Sequence, residues 1–296
     1  MKLFLYRIIC GFFLGISVVA PGFSGAIVAI AMGIYHELLR IISNPLKDLR
    51  KNIMFCFPLG IGVVASLVLF ILVFVQLFET HTVAVFILFV GLIAGNIPII
   101  YKEVKSIGFK AYYLIGAIIA FALAVSLGRF ATGTGLVSGT LTAISNWPGV
   151  AIGGVATGVT ALIPGMSLAT VLLLIGLYEP LLSAGRELMR LDFAYILPLG
   201  VFLVSVVVGL MLTAKGIKYL FKKYPGFANT TVLGFMLGSL VALVMRVMEL
   251  QADALGGFNW LIGALMFAIG IGVSILFVSL GKFMNKSEDE GLIPNP

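Results

Sequence analysis

The chain has 296 residues, of which 61% are apolar and 10% charged, against about 25% charged in an average soluble domain. Such a composition cannot cover its own surface with polar groups, so a soluble enzyme or soluble binding module is excluded and lipid is the solvent. In that setting the net charge of +7 reflects Lys and Arg collected in cytoplasmic loops, not a nucleic-acid partner.

The first element, residues 8–36, is an apolar run broken by Ala20-Pro21-Gly22-Phe23-Ser24-Gly25. Lys2, Arg7 and Val18-Val19-Ala20 imitate a secretion signal. Pro21 would follow the cleavage point and block processing, and the same pattern recurs far downstream, so the segment reads as part of the mature chain. Three spans follow at 53–78, 83–101 and 111–127, each close to the 17–25 apolar residues a crossing needs. A Gly-, Thr- and Ser-rich loop at 129–146 leads into a second broken segment, 149–180, around Ile163-Pro164-Gly165-Met166-Ser167. Spans at 193–214, 230–245 and 258–281 come next, then a tail at 282–296 carrying Glu288-Asp289-Glu290 that reads as a disordered cytoplasmic end. Cys10 and Cys56 sit inside apolar runs without metal-ligand or disulfide spacing and act as small apolar side chains. No metal or cofactor is expected.

The two broken segments are copies. Gly11–Leu39 laid over Gly154–Leu182, a shift of 143, gives eleven identities in 29 ungapped positions. Apolar bias explains the Ala, Val and Leu matches; it does not explain Pro21/Pro164, Gly22/Gly165, Ser24/Ser167, Gly33/Gly176 and Tyr35/Tyr178. Gly91 and Gly95 match Gly234 and Gly238 at the same shift. The repeat runs over 1–128 and 147–281.

Charge decides how the copies lie. If each broken segment is a re-entrant hairpin and the N-terminus is cytoplasmic, fifteen of the 19 basic residues fall inside. Only Arg129, Arg186, Arg190 and Arg246 fall outside. If both segments cross, Arg40–Lys51 and Lys102–Lys110 land opposite Lys2 and Arg7 and the asymmetry is largely lost. The positive-inside rule therefore favours hairpins. Three spans per repeat is odd, so the second repeat is upside-down relative to the first. The expected fold is an all-α polytopic membrane protein of two inverted repeats, each a Pro-Gly-broken hairpin plus three transmembrane helices, a recurring plan of secondary transporters. Both termini are expected on the cytoplasmic side of the plasma membrane.

The chemistry is expected at the breaks. Pro donates no backbone hydrogen bond and disfavours helix at the residue before it, and Gly allows the turn that follows. Non-helical backbone at membrane depth is tolerated only against protein or a wet cavity. A half-helix starting there offers free N–H groups and a positive dipole end to an anion. Pro21, Gly22, Ser24 and Gly25 from one copy and Pro164, Gly165 and Ser167 from the other therefore form the candidate substrate site, with the serines as hydroxyl donors. The bland alternative is two kinks with capping serines.

The Pro-Gly-x-Ser element, followed some ten residues on by Met32-Gly33-Ile34-Tyr35-His36-Glu37 and by Ile175-Gly176-Leu177-Tyr178-Glu179, resembles the PopT-type polyprenyl-phosphate transporters, a family once filed as a domain of unknown function. The resemblance covers nearly the whole chain. It implies a flippase returning undecaprenyl phosphate to the cytoplasmic leaflet for envelope synthesis, with Pro21, Gly22, Ser24, Pro164, Gly165 and Ser167 carried over. The family's first motif often has Gly-Gly-Thr after the Ser; here Gly25-Ala26-Ile27 stands in that place.

Asn96 lies within a span between Gly95 and Pro98 and either lines the cavity or bonds between helices. Glu37 and Glu179, beside Tyr35 and Tyr178, are candidates for proton or sodium coupling, with solvated interfacial carboxylates as the alternative. The outer arginines can hold a phosphate in a fork, Arg129 foremost, or simply anchor at the interface. Glycine pairs four apart mark close helix packing. Two rival functions remain: a transporter of a soluble anion, and an intramembrane serine hydrolase built on Gly22-Phe23-Ser24-Gly25. The hydrolase needs a base near the serine, and neither histidine, His36 or His81, lies deep in a span. An oligomer is compatible with the sequence.

Overall fold

An apolar chain in lipid must satisfy its backbone hydrogen bonds within itself, and every regular element among the described residues is a helix. The computed structural model describes residues 2–21, 25, 28–29, 32–44, 46–108, 110–133, 136–137, 141–161, 163, 166–253 and 259–289. The helices are α1 (Lys2–Val19), α2 (Tyr35–Ser43), α3 (Leu49–Ile107), α4 (Tyr113–Gly133), α5 (Trp147–Ala161), α6 (Leu168–Leu174), α7 (Tyr178–Met189), α8 (Ile196–Lys223), α9 (Pro225–Asp253) and α10 (Trp260–Asp289). Among the described residues, α3, α4, α8 and α9 are long and apolar enough to cross a membrane, and the bent pair α6 and α7 adds a fifth candidate if taken as one span. The protein is a multi-pass helical membrane protein.

At 59 residues α3 would be about 88 Å long if straight, roughly three times the hydrocarbon thickness of a bilayer. It is not straight. His81 has φ −140° and ψ 44°, outside helical values. The rings of Phe74 and Phe89 are 6.0 Å apart, although a straight helix would separate those positions by about 22 Å. The chain therefore doubles back at His81, and α3 is two limbs, 49–80 and 82–107.

Glycines set how the helices meet. A Cβ on Gly11 would strike the Leu59 carbonyl and one on Gly62 the Ile8 carbonyl, which locks α1 to the first limb of α3. In α5, Gly154 and Gly158 meet the Phe202 and Val206 carbonyls of α8 in the same way. The second limb of α3 packs on α10, with Gly91 against the Phe267 carbonyl and Gly270 against that of Leu88. In α9, Gly234 and Gly238 sit on the Ala117 and Phe121 carbonyls of α4. With no hydrophobic drive between helices in lipid, such close backbone approach supplies the packing energy. The chain is thereby interlaced: its second limb of α3 is completed by its last helix.

A short motif recurs with its hydrogen bonds. Met32 N–H bonds Val28 O at 3.0 Å, Ile34 N–H bonds Ala29 O at 3.0 Å and Leu38 N–H bonds Ile34 O at 3.0 Å. The bonds from Ile175 to Val171 (3.0 Å), Leu177 to Leu172 (2.9 Å) and Leu181 to Leu177 (3.1 Å) are the same set 143 positions on. The turn in each passes through a left-handed glycine, Gly33 at φ 66° and Gly176 at φ 74°, a conformation that costs other residues a Cβ clash. At the second of these turns α6 and α7 bend by 110°. Tyr178, at the start of α7, is buried among aromatic rings of the α3 hairpin, 5.8 Å from both Phe78 and Phe89.

Candidate functional site

Helix α1 stops where Pro21 follows Ala20, and its last carbonyls lose their intrahelical partners. Side chains from the second motif take them up. Ser167 Oγ donates to Ala20 O at 3.3 Å, and the Tyr178 hydroxyl donates to Val19 O at 2.6 Å. Pro21 is fully buried. The end of α1 and the residues flanking α6 thus meet inside the protein, through bonds that are not local in sequence.

Ser167 is the extended residue that precedes α6 (φ −104°, ψ 133°), yet its side chain makes no cap bond to that helix. The hydroxyl is spent across the interface instead. With seven residues, α6 is too short for a developed macrodipole, so hydroxyls rather than helix charge mark the position. Ser167, Thr170 and Ser239 are all buried and, with Ile93, Met166, Phe235 and Met236, enclose a niche of about 10 Å³. That is room for about one water and too small for a phosphate. Met166 and Phe235 also form the inner wall of an apolar groove of about 370 Å³ between α4, α5, α6, α8 and α9.

The remaining expected site residues fall in several places. Gly22, Ser24, Pro164 and Gly165 lie outside the described residues. Gly25 faces α1, where an added Cβ would come within 3.3 Å of Ser17 Oγ. Asn96 is buried and its amide donates to Leu92 O of its own helix at 3.0 Å. Tyr178, named from sequence beside the coupling candidate Glu179, is a buried link to α1, with its ring covered by the aromatic hairpin of α3. Tyr35 is half-buried and stacks edge-on against His36.

Glu37 accepts two bonds from Arg40, at 2.9 and 2.6 Å, and Arg40 also donates to Asn52 Oδ1 at 3.1 Å. The guanidinium beside Glu37 holds its carboxyl below the usual carboxylate range. This cluster ties α2 to the start of α3, a structural task. Glu179 instead faces a cavity of about 180 Å³ with Arg246, between α4, α6, α7 and α9. Arg129 is exposed, and its neighbour Gly128 lines that cavity.

Thr170 and Ser239 were not singled out from sequence. Thr170 lies one turn beyond Ser167 on the same face of α6, and Ser239 is 143 positions after Asn96. Ser239 Oγ bonds Phe235 O, four residues back, as Asn96 bonds Leu92 O. Following the repeat through all buried polar positions would have found Ser239.

Residues 14–257 match the family model described as undecaprenyl phosphate translocase-like. A polyprenyl-phosphate transporter of Vibrio cholerae is 27% identical over 246 residues, covering 78% of this chain and 74% of the relative. One of Staphylococcus aureus is 27% identical over 289 residues, covering 95% and 98%. No solved structure matches the chain. A match across this much of the sequence places the chain in the undecaprenyl phosphate translocase-like family.

Proposed function

We propose that the protein carries a polyprenyl phosphate, undecaprenyl phosphate or a close relative, from the outer to the cytoplasmic leaflet of the plasma membrane, where it re-enters envelope polymer synthesis. The observation that carries this reading is the junction of a buried hydroxyl niche (Ser167, Thr170, Ser239) with a wholly apolar groove at Met166 and Phe235. A phosphate head bonded by hydroxyls and a hydrocarbon tail in an apolar trough are the two halves of such a lipid. A soluble anion has no use for the trough. The relatives are named transporters, and the hydrolase reading falls with them.

In this reading the chain is two inverted repeats that open each with a re-entrant hairpin, both termini are cytoplasmic, and the hairpin tips meet at the niche. The recurrence of the same turn hydrogen bonds 143 positions apart, and of equivalent glycine contacts in α1 and α5 and in α3 and α9, supports it. Rocking of one repeat against the other would open the niche to each face in turn. Of the coupling candidates Glu37, Glu179, Tyr35 and Tyr178, Glu37 is held by Arg40, Tyr178 by Val19 and Tyr35 packs on His36, so this reading gives proton or sodium coupling to Glu179.

The test is translocation of labelled undecaprenyl phosphate in proteoliposomes, with and without a proton gradient. Transport by the wild type, lost in the Ser24→Ala/Ser167→Ala double variant, is the expected result. No lipid movement under any gradient would refute the lipid assignment.

A further inference from the structure

The described residues hold a second cavity that the niche does not explain. About 180 Å³ in volume, it is walled by Arg246 of α9, Tyr178, Glu179 and Pro180 of α7, and by backbone at Gly128 and Gly176. The glycines leave it open: a Cβ on Gly128 would fall within 2.5 Å of Ala242 Cβ. Glu179 and Arg246 both line it, and Arg246 pairs with the exposed Glu249 at 3.6 Å. We propose that this cavity is a receiving site for a phosphate monoester, in which Arg246 binds the phosphate and Glu179, on the same wall, is a carboxylate that the phosphate must approach.

Three observations carry the assignment. First, Arg186, Arg190 and Arg246 are not equivalent. Arg186 is paired with Glu79 and Arg190 with Glu187, away from the cavity; Arg246 lines it. A guanidinium offers a phosphate two parallel donors, which no lysine matches. Second, the cavity and the hydroxyl niche are aligned. Ser239 and Arg246 belong to one helix, about 10 Å apart along it, and α3 and α6 wall both spaces, with Ile93 and Thr170 at the niche and Phe86 and Leu174 at the cavity. Third, the wall is mechanically tied to the niche. Tyr178, next to Glu179, bonds Val19 O, one residue before the Ala20 carbonyl held by Ser167. A ligand in this cavity therefore touches the start of α7, where Tyr178 bonds the chain to the end of α1.

This inference rests on the transport reading and names the entry station of the same route. The test measures binding of two probes to the purified full-length protein in lipid nanodiscs: a fluorescent short-chain polyprenyl phosphate and inorganic phosphate as competitor. Arg246→Gln is expected to weaken polyprenyl phosphate binding about tenfold or more, with Arg246→Lys restoring only part of it. Glu179→Gln is expected to shift affinity the other way, tightening binding severalfold, because a carboxylate on the cavity wall no longer repels the phosphate. Unchanged affinity in Arg246→Gln, or equal loss in both variants with lowered melting temperatures, would overturn the proposal while leaving lipid transport standing. If the wild type bound no polyprenyl phosphate yet bound inorganic phosphate in an Arg246-dependent way, the lipid reading would fail and the anion site would survive.

Discussion

The hydroxyl of Tyr178 donates a 2.6 Å hydrogen bond to the carbonyl oxygen of Val19, 159 residues earlier in the chain. Val19 ends α1 ahead of Pro21, where the carbonyl has no intrahelical donor. The ring of Tyr178 is fixed by Phe78 and Phe89, so the hydroxyl is aimed by packing before the bond is made. One side chain thereby connects the end of the first helix, the hairpin of α3 and the wall of the Arg246 cavity.

Tyr178→Phe keeps the ring contacts and removes only the hydroxyl. A buried carbonyl left without its donor costs about 1–3 kcal/mol. The expected result is a lower thermal unfolding midpoint in detergent micelles, with a smaller loss for Ser167→Ala, whose bond is longer at 3.3 Å. Equal midpoints for wild type and Tyr178→Phe would show that the bond contributes nothing.

Glycines in the helix contacts separate into two groups. Gly154→Ala and Gly234→Ala force a Cβ onto carbonyl or side-chain atoms of the facing helix, and overpacking of this kind costs about 1–3 kcal/mol. Gly60 and Gly200 have nothing within 4 Å of an added Cβ. Their replacement by Ala is expected to be neutral or stabilising by about 0.5–1 kcal/mol through helix propensity. Unfolding midpoints of the four variants in one detergent test the division.

Glu37 supplies a pH dependence. Its carboxyl is depressed first by the hydrogen bond from Arg40 and then by the positive charges of Arg40, Arg7 and Lys51. A depressed folded-state value means that the pair contributes stability above the ordinary carboxylate range, near pH 4.5, and that this is lost as pH falls through the lowered value. Both side chains are more than a third exposed, so solvent screening keeps the contribution small. Midpoints measured from pH 7 down to pH 3.5 are expected to fall more steeply for wild type than for Glu37→Gln. Parallel curves would remove Glu37 from the account.

The apolar groove can be filled. Ala156 lines it, whereas Ile152, one helical turn earlier on α5, is exposed on the outside. Ala156→Trp is expected to reduce lipid translocation at least severalfold in proteoliposomes, and Ile152→Trp to leave it near wild type. Equal rates for the two would move the lipid tail out of the groove and into the surrounding bilayer.

Breaks and close contacts were legible in the sequence because Pro and Gly act locally. Pro21 stops α1, Gly33 and Gly176 take left-handed turns, and the glycine pairs in α1, α3, α5 and α9 face carbonyls. The shift of 143 that marks the repeat also marks equivalent hydrogen bonds. What stayed hidden depends on partners distant in the chain. Tyr178 stands beside a carboxylate in sequence and reads as a coupling candidate, yet its surroundings come from α3 and α1. Thr170 and Ser239 look like ordinary small residues of apolar helices until α3, α6 and α9 are brought together. Arg129 and Arg246 carry the same charge in the sequence; only the cavity distinguishes them.

The interlacing of α3 and α10 has a consequence for biogenesis. Gly91 packs on the backbone of Phe267, so the second limb of α3 must wait for a partner synthesised 176 residues later. At roughly 5–20 residues per second that interval is on the order of 10–35 s. During it a glycine-notched helix stands in the bilayer with its docking face occupied only by lipid or by the insertion machinery. Truncation before Phe267 would therefore leave an earlier helix without its partner, not merely a missing end.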